Sequence, residues 1–203
     1  MRYVDKNIKY FANKLAAKAP TPGGGSAAAL SAYIGCSLLS MVANYTLARK
    51  GFNGYKDRAK RVQKGSEKLR QTFAELIDKD VEAYESLSKA FIKYKDNTAK
   101  LQPALKRAVG PLAKICIHAH RAGILCLDLS YVGNKYLMSD LCTSIYLLDA
   151  ALESSMIIIK SNLAYMKDKS YIINKKQQYV YLQQDMKRIK AEVLAKAKER
   201  MLI

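Results

Sequence analysis

Proline and glycine are scarce in this 203-residue chain, 4 and 10 in all, and no low-complexity stretch appears. The composition therefore excludes disordered and fibrous architectures and fits a globular protein. No segment alternates apolar and polar residues as a half-buried strand would. Cysteine is sparse too: Cys36, Cys116, Cys126 and Cys142 show no CxxC spacing. Each lies in an apolar helical context, where a free thiol behaves as a small hydrophobe, so a reducing cytoplasm is the expected compartment. The opening Met1-Arg2-Tyr3-Val4-Asp5 does not follow the plan of a signal peptide, and export is not expected. Neither GxGxxG nor GxxxxGK[ST] occurs, which leaves dinucleotide and nucleoside triphosphate chemistry without support. The two histidines, His118 and His120, stand two apart on a helix and point to nearly opposite faces. They cannot share one metal ion, and no other metal cluster is expected.

What is present is apolar and basic. Half of the residues are hydrophobic, and the length suits one domain spanning residues 1–203 with one core. Lys and Arg number 35 against 17 Asp and Glu, a net charge of +18 that favours an anionic partner: nucleic acid, membrane headgroups or a polyanionic small molecule. The lysines are scattered along every segment, as a general lysine bias would also leave them. Only Lys175 to Arg200 forms a dense basic run.

Apolar periodicity predicts helices over about Asp5–Ala19, Ser26–Arg49, Tyr55–Tyr94, Gln102–Tyr131, Ser139–Lys167 and Lys175–Met201. Gly110-Pro111 is expected to kink or restart the fourth. The breaks fall at Gly51-Phe52-Asn53-Gly54, Lys95-Asp96-Asn97-Thr98, Gly133-Asn134 and Asp168-Lys169-Ser170. Long helices with short links imply an all-α fold, an antiparallel bundle of about six helices. Ser26–Ala48 carries no charge over 23 residues, long enough to raise a membrane span. Its Ala, Ser, Asn44 and Thr46 content favours a central, fully surrounded bundle helix instead.

The strongest local landmark is the turn Pro20-Thr21-Pro22-Gly23-Gly24-Gly25-Ser26 that opens this second helix. Consecutive glycines permit close approach of a ligand to free helix N-terminal amides, and the flanking prolines stiffen the entry. Behind it Ser26, Tyr33, Ser37, Ser40 and Asn44 share one narrow sector, either as a seam that lets helices pack closely or as the lining of a polar cleft. On the third helix Phe73, Leu76, Ile77, Tyr84, Leu87 and Phe91 form an apolar stripe with Asp80 in its middle, while Asp78 is expected to point outward. A carboxylate on a core face costs several kcal/mol unless paired, so Asp80 either meets a cation or serves a site, where desolvation would suit it to proton transfer. Ser139-Asp140 reads first as a helix start, Ser139 capping and Asp140 in the first turn.

The strings PTPGGGSAAAL, VANYT, LIDKDVEAY, VGN followed by SD, and SNL at Asn162 together resemble the cyclodeaminase/cyclohydrolase family of folate enzymes. The resemblance runs from the first helix to about Lys167; it is poor over Ser86 to Lys100 and in the basic tail. It implies an all-helical homodimer acting on a tetrahydrofolate derivative or its polyglutamylated form, with no further cofactor and no membrane. By matched motifs it points to Asp80 and Asp140 as catalytic, and to Pro22, Gly23, Gly24, Gly25, Ser26, Asn44, Gly133, Asn134, Ser139 and Asn162 as substrate-binding. The activity implied is methenyltetrahydrofolate cyclohydrolase, favoured because no formiminotransferase domain is present, with formiminotetrahydrofolate cyclodeaminase as the alternative. Outside the resemblance, a basic nucleic-acid-binding bundle working through Lys175 to Arg200, or a silent helical scaffold, would account for the same composition.

Overall fold

The protein is described by a computed structural model covering residues 2–49, 55–95 and 97–201. Its helices are α1 (Ile8–Ala16), α2 (Gly24–Ala48), α3 (Lys56–Lys93), α4 (Thr98–Val132), α5 (Met138–Leu163) and α6 (Lys169–Met201), with a 3₁₀ turn at Lys135–Leu137 before α5. No strand occurs among the described residues. The fold is the all-α bundle the periodicity calls for. The Gly51–Gly54 break and Asp96 lie outside the described residues.

Local chemistry explains where the helices begin. Asn7 accepts from the Tyr10 amide at 2.7 Å and starts α1 at Ile8, three residues later than expected. Asp168 accepts from the Tyr171 amide at 2.9 Å, so Asp168-Lys169-Ser170 is the capped start of α6 rather than a loop before it. Ser139 is not the cap of α5: that helix begins at Met138 without a side-chain cap, and Asn134 caps the preceding 3₁₀ turn through the Tyr136 amide. Gly110-Pro111 does not restart α4, which is helical throughout. The carbonyl that Pro111 leaves without an amide partner belongs to Arg107, and both residues line an open groove that water can enter.

The core runs between α2, α3, α4 and α5, with Leu39, Phe73, Leu76, Leu105, Leu112, Ile115, Leu129, Leu141, Ile145, Leu148 and Leu152 almost fully buried. Truncating one such leucine to alanine costs about 2–5 kcal/mol. α6 closes the bundle through Tyr179, Leu182, Met186, Ile189, Val193 and Ala197, spaced three or four apart. Polar pairs fix its register: His120 with Asp185 at 2.7 Å, Gln183 with Glu153, and Lys190 with Asp149. The basic run is therefore a docked helix with one apolar face.

Two further sequence expectations fail, for one reason each. α2 is not surrounded: α3 and α5 cover two of its faces, while Ile34 and Tyr45 are 42% and 59% exposed on the third. Asp78 is not outward, because residues 2–5 fold back over it; Asp78 Oδ1 accepts from the Tyr3 amide at 2.5 Å, and Arg2 lies 3.7 Å from Oδ2. By length and composition alone, Gly24–Ala48 and Lys135–Leu163 could each cross a membrane.

Candidate functional site

α2 begins at Gly24 with no side-chain cap at Gly23, so its first amides lack partners from their own segment. α3 supplies one from across the bundle. Ser26 donates its hydroxyl to Asp80 Oδ2 at 3.0 Å, with the Ile77 carbonyl an alternative acceptor at the same distance. The approach is so close that a β-carbon on Gly25 would lie 2.1 Å from Asp80 Oδ1 and 2.6 Å from Oδ2. Glycine is required at position 25 because a carboxylate occupies the space of its side chain. Thr21 ties the preceding turn to α3 by donating to Glu85 at 3.1 Å, and Pro22 is buried beneath it.

Burial holds the Asp80 carboxyl above the ordinary carboxylate range, and hydrogen bonds from the Ser26 hydroxyl and amide pull it partway back. No cation meets it among the described ion pairs. Asp80 opens on a cleft of about 330 Å³. Pro20, Gly23, Gly24 and Gly25 form one wall, and Ser161 and Asn162 at the end of α5 form another. Ala108, Leu112 and Ile158 give it an apolar floor, with Tyr84 at its edge. A partly desolvated carboxylate, free helix amides and an apolar surface together suit a flat, polar-edged ligand that develops or loses charge near Asp80.

The motif residues do not all meet here. Pro22 to Ser26, Asp80 and Asn162 gather at the N-terminal end of α2. Asn44 is exposed near its other end, 18 residues on and about 27 Å away along the helix axis. Gly133 and Asn134 join that second group, where the Asn134 amide donates to Thr46 Oγ1 at 2.9 Å, and Ser139 and Asp140 follow in the first turn of α5. Beside Asn44 a hollow of about 360 Å³ is lined by Ser37, Ser40, Tyr45, Glu67 and Arg70. Arg70 is held there by Glu67 at 2.6 Å and by the Tyr33 hydroxyl at 3.0 Å. The seam of α2 thus serves both readings: Ser40 binds Ser66 of α3 at 2.8 Å, Ser37 bonds back to Tyr33, and the same side borders the hollow.

Sequence reasoning missed Tyr84, Ser161, Ile158 and Arg70. Tyr84 was placed in the buried stripe, yet it is 47% exposed. Ser161 is adjacent to Asn162, and Arg70 forms an i, i+3 pair with Glu67 that was legible as a spacing. No cysteine lines the cleft or the hollow, and burial pushes the Cys116 and Cys126 thiols up to about 12.

The family model described as Formiminotransferase-cyclodeaminase matches residues 7–180. The chain belongs to this family. A methenyltetrahydrofolate cyclohydrolase from Methylorubrum extorquens is 34% identical over 179 residues, covering 82% of this chain and 84% of the relative. The mouse formimidoyltransferase-cyclodeaminase is 27% identical over 173 residues, covering 81% of this chain but 32% of its own length, so the chain spans about a third of that mammalian relative. In structure the chain superposes on the formiminotetrahydrofolate cyclodeaminase of Thermotoga maritima with a TM-score of 0.84 at 25% identity, over 98% of this chain and 96% of the other.

Proposed function

We propose that the protein hydrolyses 5,10-methenyltetrahydrofolate to 10-formyltetrahydrofolate. The observation that carries this reading is Asp80, an unpaired and partly desolvated carboxylate set against the glycine turn in the cleft. The bacterial cyclohydrolase, matched over most of both chains, supports it. The substrate is a cationic amidinium ring. Asp80 stabilises that charge and takes one proton as the oxygen of water bonds to the ring carbon. The C–N5 bond of the adduct then breaks, the hydroxyl proton passes to N5, and the formyl group stays on N10. One proton leaves to solvent, and the carbon keeps its oxidation level, so no redox cofactor is called for. The excess of basic residues draws in the carboxylate tail of the substrate.

We infer a homodimer for this activity. Along α2, Ala27, Ser31, Ile34, Leu38, Met41 and Tyr45 stand alternately four and three apart on the uncovered face, and none is charged. Thr143, Ala150, Ser154 and Ile157 continue that face on α5, with Ile157 66% exposed. In a chain of net charge +18, such a seam suits a second copy. A two-fold, antiparallel pairing across α2 sets the glycine end of one copy against the Asn44 and Asp140 end of the other, and the separated motif groups then share one site.

The mammalian and Thermotoga relatives support a second reading, in which N10 attacks a formimino carbon and ammonia leaves. The purified protein offered methenyl- and formimino-tetrahydrofolate side by side, followed by methenyl absorbance, decides between them. Asp80→Asn is expected to keep the fold and lose most turnover; full activity in that variant would remove the assignment.

A further inference from the structure

The last helix runs past residue 180, where the family match ends, and its final turn carries a cation that is spent inward. Arg200 donates to the carbonyls of Ser130, at 3.2 Å, and of Tyr131 and Gly133. These are acceptors at the C-terminus of α4, where a cation also meets the negative end of the helix dipole. Its partners are carbonyls rather than a carboxylate, and burial lowers its pKa from the ordinary arginine value.

From the other side the same turn is held by α2, through the Asn134 amide and Thr46 Oγ1 at 2.9 Å. Gly133 has little freedom within this grip: a β-carbon there would lie 2.7 Å from the Leu129 carbonyl oxygen and 3.0 Å from the Met138 side chain. The 3₁₀ turn and the first turn of α5, with Ser139 and Asp140, follow directly. Three helices thus converge on the backbone that carries the second motif group, and the hydrogen bonds that α6 gives to that backbone come from one side chain.

We propose that Arg200 is a positioning residue for the folate site: it clamps the Gly133-Asn134 turn and thereby sets Asn134 and Asp140. The catalytic part of this inference rests on the function proposed above. The clamp lies in the part of the C-terminal helix beyond residue 180, where the family match ends.

The test compares the wild type, Arg200→Ala, Arg200→Lys and, as a control, Lys198→Gln, which removes an exposed charge from the same helix end. Hydrogen exchange of residues 130–137 is expected to speed up at least tenfold in Arg200→Ala, while residues 179–193 keep their protection and show that α6 stays docked. Its kcat is expected to fall on the order of tenfold with KM little changed. Arg200→Lys restores part of the rate, added guanidinium at tens of millimolar restores part in Arg200→Ala, and Lys198→Gln matches the wild type. Unchanged exchange at 130–137, or unchanged kcat in a variant whose turn has opened, overturns the proposal. If the wild type turns over neither tetrahydrofolate substrate, the functional reading fails, and the exchange data still decide whether Arg200 holds the turn.

Discussion

Replacing Gly25 with alanine adds one methyl group where α2 presses against the Asp80 carboxylate of α3. That β-carbon would stand 2.1 Å from Asp80 Oδ1 and 2.5 Å from Cγ, whereas real contacts do not fall below 3.0 Å, so the carboxylate must retreat by at least 0.9 Å. A displacement of about 1 Å at a reacting group costs on the order of 10²-fold in rate. Stability should change far less. Overpacking costs about 1–3 kcal/mol, and the better helix propensity of alanine returns up to about 1 kcal/mol. The net loss of about 1–2 kcal/mol lowers Tm by a few degrees in a chain of this size. Methenyltetrahydrofolate absorbance reads the first effect and thermal unfolding the second. The cause is isolated by repeating the substitution in an Asp80→Ala background, where the methyl has room and Gly25→Ala should cost nothing further. A Gly25→Ala enzyme that keeps its turnover within about threefold, against the expected loss of about a hundredfold, refutes the close contact as the reason for the glycine.

The pH dependence of Asp80 follows from the sign of its shift. Burial raises its folded pKa, so its contribution to stability is full below the unfolded value of about 3.9 and is lost as pH rises through the folded value. Asp80→Asn should therefore gain stability relative to the wild type from acid toward neutral pH in parallel melts, and wild-type kcat/KM should fall on the acid side at a pH above the ordinary carboxylate range. Ile34→Glu, on the uncharged face and outside both motif groups, should give a helical monomer by light scattering with turnover reduced more than tenfold; a fully active monomer would show that one chain holds a complete site. Asp149→Asn leaves Lys190 facing a neutral partner in a contact whose side chains are 12% and 27% exposed. A denaturant midpoint corresponding to a loss of about 1–3 kcal/mol is expected, less than for a fully buried pair.

The helices were legible because their apolar faces repeat at the helical period, and Asp80 stood out as a carboxylate on such a face. What the pattern could not carry was the length of the neighbouring element. α2 begins at Gly24, beside Asp80, so α3 loses its α2 cover beyond that point, and Tyr84 and Phe91 are 47% and 36% exposed although they continue the stripe. Asp78 fails in the opposite sense. Its side of α3 is covered by residues 2–5, an irregular segment with no period to read. Likewise the motif strings name residues without their distances. Asn44 and Ser26 share a seam on one helix, and only the helical rise shows that they cannot touch the same ligand within one chain.

That rise gives α2 two roles with one origin. A helix without charge pays no desolvation cost for ions wherever it is covered, so one face can pack on α3 and α5 while another stays uncharged and uncovered. Its N-terminal amides need an acceptor, and the sequence of the turn provides none; Asp80 fills the place from α3 and is desolvated in doing so. Burial in that place raises the carboxyl's proton affinity, the hydrogen bonds from Ser26 offset part of the rise, and the same bonds fix its direction into the cleft. An asparagine at position 80 could still accept from Ser26, but it could neither balance a cationic ring nor take a proton from water. Capping and catalysis part company at that substitution: a fold that survives Asp80→Asn with no loss of melting temperature, and a rate that does not, would show that the acceptor is structural and the charge is chemical.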